Sequence, residues 1–152
     1  MKKIFLLLLS IPLFLTACAA PSLDVGGALA ELLKSYGTLP IGNYYETADG
    51  GISETELLLL YDPDDSLPEG AILSAALYLG SSFNRVFELA LFDCAGSDAA
   101  MQVSVLCHRR ADFLKEFDPT LESTVIRYGE YVFFAAAPSV EGIEELADRV
   151  FQ

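Results

Sequence analysis

The 152-residue chain has no tryptophan, one histidine and three cysteines, and it sets only nine Lys and Arg against 22 Asp and Glu. Each scarcity removes something. A formal charge of −13 leaves no basic patch for gripping a phosphate backbone, which argues against nucleic acid as a partner. The same imbalance opposes electrostatic adhesion to anionic lipid headgroups. One histidine and three scattered cysteines form no grouping suited to zinc. No Gly-x-Ser-x-Gly elbow presents a nucleophilic serine. Gly50-Gly51 lacks the spacing of a phosphate-binding loop and reads as a turn, so no cofactor is expected. Strong acidity can indicate disorder, but ten Phe, seven Tyr and many Leu and Val residues oppose it.

What is present begins with an apolar run. Met1-Lys2-Lys3 precede residues Ile4 to Ala17, interrupted by Ser10, Pro12 and Thr16. Two cations, a short apolar stretch and small residues are the build of an export signal. Crossing a bilayer takes about 20 apolar residues, and Pro12 weakens the run as a helix. The run ends in Leu15-Thr16-Ala17-Cys18, which resembles the lipobox of bacterial lipoproteins at all four positions. The resemblance implies that the Cys18 sulfur takes a diacylglyceryl group and that the chain is cut before it. A thiolate is strongly nucleophilic, and two acyl chains, at about 0.8 kcal/mol per buried methylene, make a stable anchor where one does not. The expected organisation is a signal peptide over 1–17, a tether over 18–23 and a single domain over 24–152. The expected location is extracytoplasmic, lipid-anchored to the bacterial cell membrane. Without the two signal lysines, seven cations remain against the 22 acids, so attachment falls to Cys18.

Along the mature chain, Asp24 can cap a first helix reaching about Tyr36, with Val25, Leu29, Leu32, Leu33 and Tyr36 on one face. Gly37 ends it, and "TLPIGNYYETADGG" reads as loop. Ser53-Glu54-Thr55-Glu56 fits a capping box ahead of a short helix to Tyr61. "AILSAALYL" and "RVFELALFD" read as two strands of a hairpin around Gly80-Ser81-Ser82. From Ser97 to Phe117 the period is helical, with Val103, Leu106, Cys107, Arg110, Phe113, Leu114 and Phe117 recurring on one stripe. "STVIRY" and "YVFFAAA" form a second hairpin at Gly129-Glu130, and Ser139 caps a last amphipathic helix. The sum is an α+β fold, an antiparallel sheet of about four strands with helices packed on one face, in a single small domain.

The stretches "ETELLLLYD", "LYLGSSFNRVFELALFD", the long helix ending in "FDP", and "VIRYGEYVFFAAAP" follow one another in an order that resembles an uncharacterised family of Gram-positive lipoproteins, known as domain of unknown function 4358. The likeness covers most of the mature chain. The tether here is shorter, and Phe117 stands where a tyrosine is expected. That family has no agreed activity, so the resemblance implies fold and location and brings no catalytic residues.

Several residues invite chemistry. His108 would be the natural general base, but helix periodicity points it at solvent. Asp62, Asp64 and Asp65 in "DPDDSLPEG" are hard oxygen ligands, yet Leu67 and Leu73 stand where a calcium loop needs Gly and Glu. A solvated acidic turn is the reading there, and no metal site is expected. Arg110 falls within the apolar stripe, where a bare charge is costly. Either its stem covers core while the guanidinium reaches a carboxylate, or it binds a ligand in a cleft between helix and sheet. Tyr44, Tyr45, Tyr128 and Tyr131 suit core packing or a recognition surface. Cys94 and Cys107 should not pair. Cys107 lies ten residues into its helix, about 15 Å along it, whereas a disulfide needs Cα atoms within about 7 Å.

No acid, base and nucleophile stand out together, so the chain does not read as an enzyme. The expectation is a membrane-anchored cell-envelope lipoprotein, held by lipid on Cys18, that binds or assembles with an unknown envelope protein. The alternatives are an extracytoplasmic enzyme whose carboxylates meet only on folding, or a small-ligand carrier with a pocket between helix and sheet.

Overall fold

The computed structural model describes residues 23–36, 39–47, 51–64, 66–82 and 85–151. Among these residues, four helices and five strands follow in the order α1 (Val25–Ser35), β1 (Gly42–Glu46), α2 (Glu54–Tyr61), β2 (Ile72–Ser82), β3 (Arg85–Cys94), α3 (Ser97–Phe117), β4 (Glu122–Tyr128), β5 (Tyr131–Ala137) and α4 (Ile143–Val150). The strands form one antiparallel sheet in the order β1-β2-β3-β5-β4. The α+β class, the antiparallel sheet and the single small domain are as the sequence indicated.

The sheet has five strands rather than about four. The additional one, β1, lies at the edge inside the stretch read as loop, and pairs Tyr44 with Tyr78 and Tyr45 with Leu77. The helices cover both faces of the sheet rather than one. On one face α2 and α3 pack on Ala75, Leu77, Ala90, Phe92, Val132, Phe134 and Ala136. On the other α1 and α4 pack on Ala76, Tyr78, Phe87, Leu89, Leu91, Phe133 and Ala135. Successive strand residues point to opposite faces, so a strand covered on both sides must be apolar throughout. β5 is such a strand, with Val132 to Ala137 all buried.

Local chemistry explains most element ends. The capping box of α2 forms as expected, with Ser53 Oγ accepting from Glu56 N at 3.2 Å and Glu56 Oε2 accepting from Ser53 N at 2.9 Å. Gly129 turns β4 into β5 at φ +63°, a left-handed conformation that suits glycine. Asp24 occupies the N-cap of α1, though its side chain makes no capping hydrogen bond. The last helix begins later than Ser139 suggested. Its N-cap is Gly142 at φ +80°, and Ser139 Oγ instead accepts from Glu141 N.

The buried arc of α3 also differs from the expected stripe. Ala100 and Ala111 complete it alongside Val103, Leu106, Cys107 and Leu114. Phe113 and Phe117 lie outside it, exposed at 48% and 69%. Small alanines let the helix lie close to the sheet, and the two bulky rings fall on its flank.

Candidate functional site

Glu88 sits on β3 between Phe87 and Leu89 and points into the α2–α3 side of the core, at 1% exposure. An ionised carboxylate survives such burial only when paired and hydrogen-bonded. Here three elements meet to do so. Oε1 accepts from the Tyr61 hydroxyl at 2.6 Å and from Arg110 Nε at 3.1 Å. Oε2 accepts from Arg110 Nη2 at 2.9 Å. Tyr61 comes from the last turn of α2 and Arg110 from the middle of α3, so one buried charge ties both helices to the central strand.

Arg110 is braced further by two rings. Its guanidinium carbon lies 5.9 Å from the Tyr61 centroid and 5.6 Å from that of Phe113, within cation–π range. Burial disfavours the Arg110 charge, but the Glu88 carboxylate outweighs it and raises the guanidinium pKa. Burial, followed by the Glu88 charge, pushes the Tyr61 phenol well above its ordinary value. Burial and then Glu88 do the same to the neighbouring Cys107 thiol. At neutral pH Tyr61 and Cys107 keep their protons and Arg110 its charge. The cluster holds shape; those three groups are not poised to exchange protons.

Above it a cleft of about 300 Å³ opens between α2 and α3. Leu59, Leu60 and Tyr61 form one wall, and Leu106, Arg109, Arg110 and Phe113 the other. Arg110 thus reaches a carboxylate, as the first reading of it expected, and it also lines a cleft. That cleft lies between two helices, however, and not between helix and sheet. Across α2 a second, more open depression is lined by Tyr45, Ile52, Glu56, Leu60 and Leu79.

The acidic turn closes on itself. Asp62 Oδ1 accepts from the Ser66 hydroxyl at 2.5 Å and Oδ2 from Leu67 N at 2.7 Å. Burial opposes the Asp62 charge, yet these bonds, with Arg109 nearby, hold its pKa below the usual carboxylate value. Asp64 is exposed beside the cleft, and Asp65 lies outside the described residues. No group of three His, Cys, Asp or Glu among the described residues is placed to hold a metal ion. Gly51 is a close-packing position: a Cβ there would stand 2.0 Å from the Glu46 carbonyl oxygen.

His108 is exposed on the outer side of α3 and does not line the cleft. The tyrosines are all packed or bonded. Tyr44 donates to the Gly26 carbonyl at 2.8 Å, and Tyr45 packs against the core. Tyr128 stacks on Phe151 with centroids 4.1 Å apart and donates to Asp148. Tyr131 accepts from Leu23 N at 2.9 Å. Cys94 and Cys107 are both buried and unpaired. Cys18 lies outside the described residues.

Sequence reasoning missed Glu88 and Tyr61 as the partners of Arg110, and it placed Phe113 and Phe117 in the core. The signal for Glu88 was available: a lone acid inside "VFELALF" demands a cation. No family model, no curated protein and no solved structure matches the chain.

Proposed function

We propose that this chain is a lipid-anchored protein of the bacterial cell envelope whose domain binds another envelope protein and does not catalyse a reaction. The observation that carries this reading is Leu15-Thr16-Ala17-Cys18 at the end of a short apolar run behind two lysines. Three features support it. No helix among the described residues is long and apolar enough to cross a membrane. Leu23, the last residue of the expected tether, is already docked through its bond to Tyr131, which leaves residues 18–22 to reach the lipid, about 18 Å when fully extended. In the cleft, the charged side chain of Arg110 is committed to Glu88 and the Tyr61 phenol is locked in its protonated form, a framework suited to holding a surface in shape.

A second reading, a small-ligand carrier, is favoured by the cleft itself. Its volume of about 300 Å³ lies at the lower end of ligand pockets. Glu88 engages only two of the five N–H donors that a guanidinium carries, and the others could orient a bound molecule.

The test is Cys18→Ser in the producing bacterium, followed by fractionation and fatty-acid labelling. The proposal expects loss of label and release or misprocessing of the chain. Processed protein that stays membrane-bound in the variant, unlabelled in both forms, overturns it.

A further inference from the structure

Resting on the reading of this domain as a binding module, we infer that the α2–α3 cleft is a docking site for a cationic amphipathic segment of a partner protein, its apolar side chains entering between the helices and its Lys or Arg residues meeting an acidic rim.

The apolar part of this surface begins with α2. Its sequence "ETELLLLY" places four leucines in a row, so apolar side chains project on all sides of its second half. A helix of that kind is normally buried all round. Here Leu57 and Tyr61 are fully buried, while Leu59 is 68% exposed. It faces Phe113 across the cleft, and Phe113 makes an edge contact with Phe117 at 4.9 Å. Leu59 and Phe113 thus stand exposed on the two walls of a concavity, with Phe117 packed against Phe113. A clustered exposed patch of that kind marks an interaction surface, and a groove between helices is a common seat for an amphipathic segment.

The charge half fixes the partner's sign. The Arg110 charge is neutralised by Glu88, and Arg109 faces Asp62. The opening then carries Asp64 in its lining, with Asp112 and Glu116 exposed within one turn of Phe113 on α3, on a chain of formal charge −13. Complementary charge selects a basic partner and steers its approach. It also disfavours an anionic bilayer as the occupant, and a second copy of so acidic a chain.

The absence of tryptophan supplies a direct test. A Leu–Lys amphipathic peptide bearing one Trp is titrated with the full chain, in phosphatidylcholine vesicles if it carries lipid and in buffer if it does not, with protein-free vesicles or buffer as blank, and indole fluorescence reads the peptide alone. The expected result is a blue shift and saturable binding that weakens as salt is raised. Leu59→Ser and Phe113→Ser, both at exposed positions, should each weaken binding by about tenfold or more, with circular dichroism confirming the fold. Leu73→Ser, at an exposed apolar residue of β2 outside the cleft, should leave it unchanged. Three results overturn the inference. One is equal binding by the cleft variants and the unaltered chain. Another is tighter binding of a Leu–Glu peptide, or of a small anionic amphiphile, which assigns the cleft to the arginines. The third is a dimer that the same cleft variants dissolve, which assigns it to a second copy. None of these bears on whether Cys18 carries lipid, so the anchoring proposal stands or falls separately.

Discussion

Arg110 grips Glu88 at two points, Nε to Oε1 at 3.1 Å and Nη2 to Oε2 at 2.9 Å, and in doing so joins the longest helix to the central strand. Removing one member of a buried pair leaves the other charge stranded, at about 3–5 kcal/mol. Arg110→Met should therefore destabilise the domain by about that amount in urea denaturation. The triple variant Glu88→Met, Arg110→Met, Tyr61→Phe removes all three polar partners together and should recover most of the loss. A cost for Arg110→Met of about 1 kcal/mol or less, the range of exposed pairs, would show that the pair does not organise the core.

Asp62 makes the turn after α2 sensitive to acid. Its folded pKa lies below the unfolded value of about 3.9, so its contribution is full above that value and is lost as pH falls through the lower folded one. Asp62→Asn removes a charged acceptor from Ser66 and Leu67, and should cost about 1–3 kcal/mol at pH 7. The gap between variant and unaltered chain should narrow in denaturation curves at pH 3 or below. A gap that is constant with pH would mean the carboxylate's ionisation does not stabilise the turn.

The two thiols of the domain should be free and silent. Burial, with Asp93 and Glu130 nearby, pushes Cys94 up to about 12, and Cys107 lies well above its ordinary value. At pH 8 neither forms appreciable thiolate, the reactive species. Maleimide should label both after denaturation without reductant and neither in the native protein, read by peptide mass at each site. A peptide pair lighter by two hydrogens and unlabelled would reveal a disulfide.

Elements with strong local signals were legible in the sequence. The ends of α3 and β5 and the capping box of α2 match their expected positions, because caps, breakers and unbroken periodicity act within a few residues. β1 was not legible, since Gly42 and Asn43 have low strand propensity and an edge strand shows little burial pattern. Coverage of both sheet faces could have been read from "YVFFAAA", whose unbroken apolar run has no polar side to give to water. Arg110 announced its need for a carboxylate, but choosing Glu88 among 22 acids depends on which strand reaches the middle of the sheet. Phe113 and Phe117 misled because a helical wheel cannot tell the centre of a buried face from its flank. Phe113 lines the candidate cleft, and Phe117 packs against Phe113.

The mass of the amino-terminal peptide tests the lipid anchor on Cys18 most directly. Protein recovered from the membranes of the producing bacterium, digested and analysed by mass spectrometry, should yield a first peptide beginning at Cys18 and carrying a diacylglyceryl thioether. A first peptide that retains residues 1–17 and an unmodified Cys18 would contradict the account.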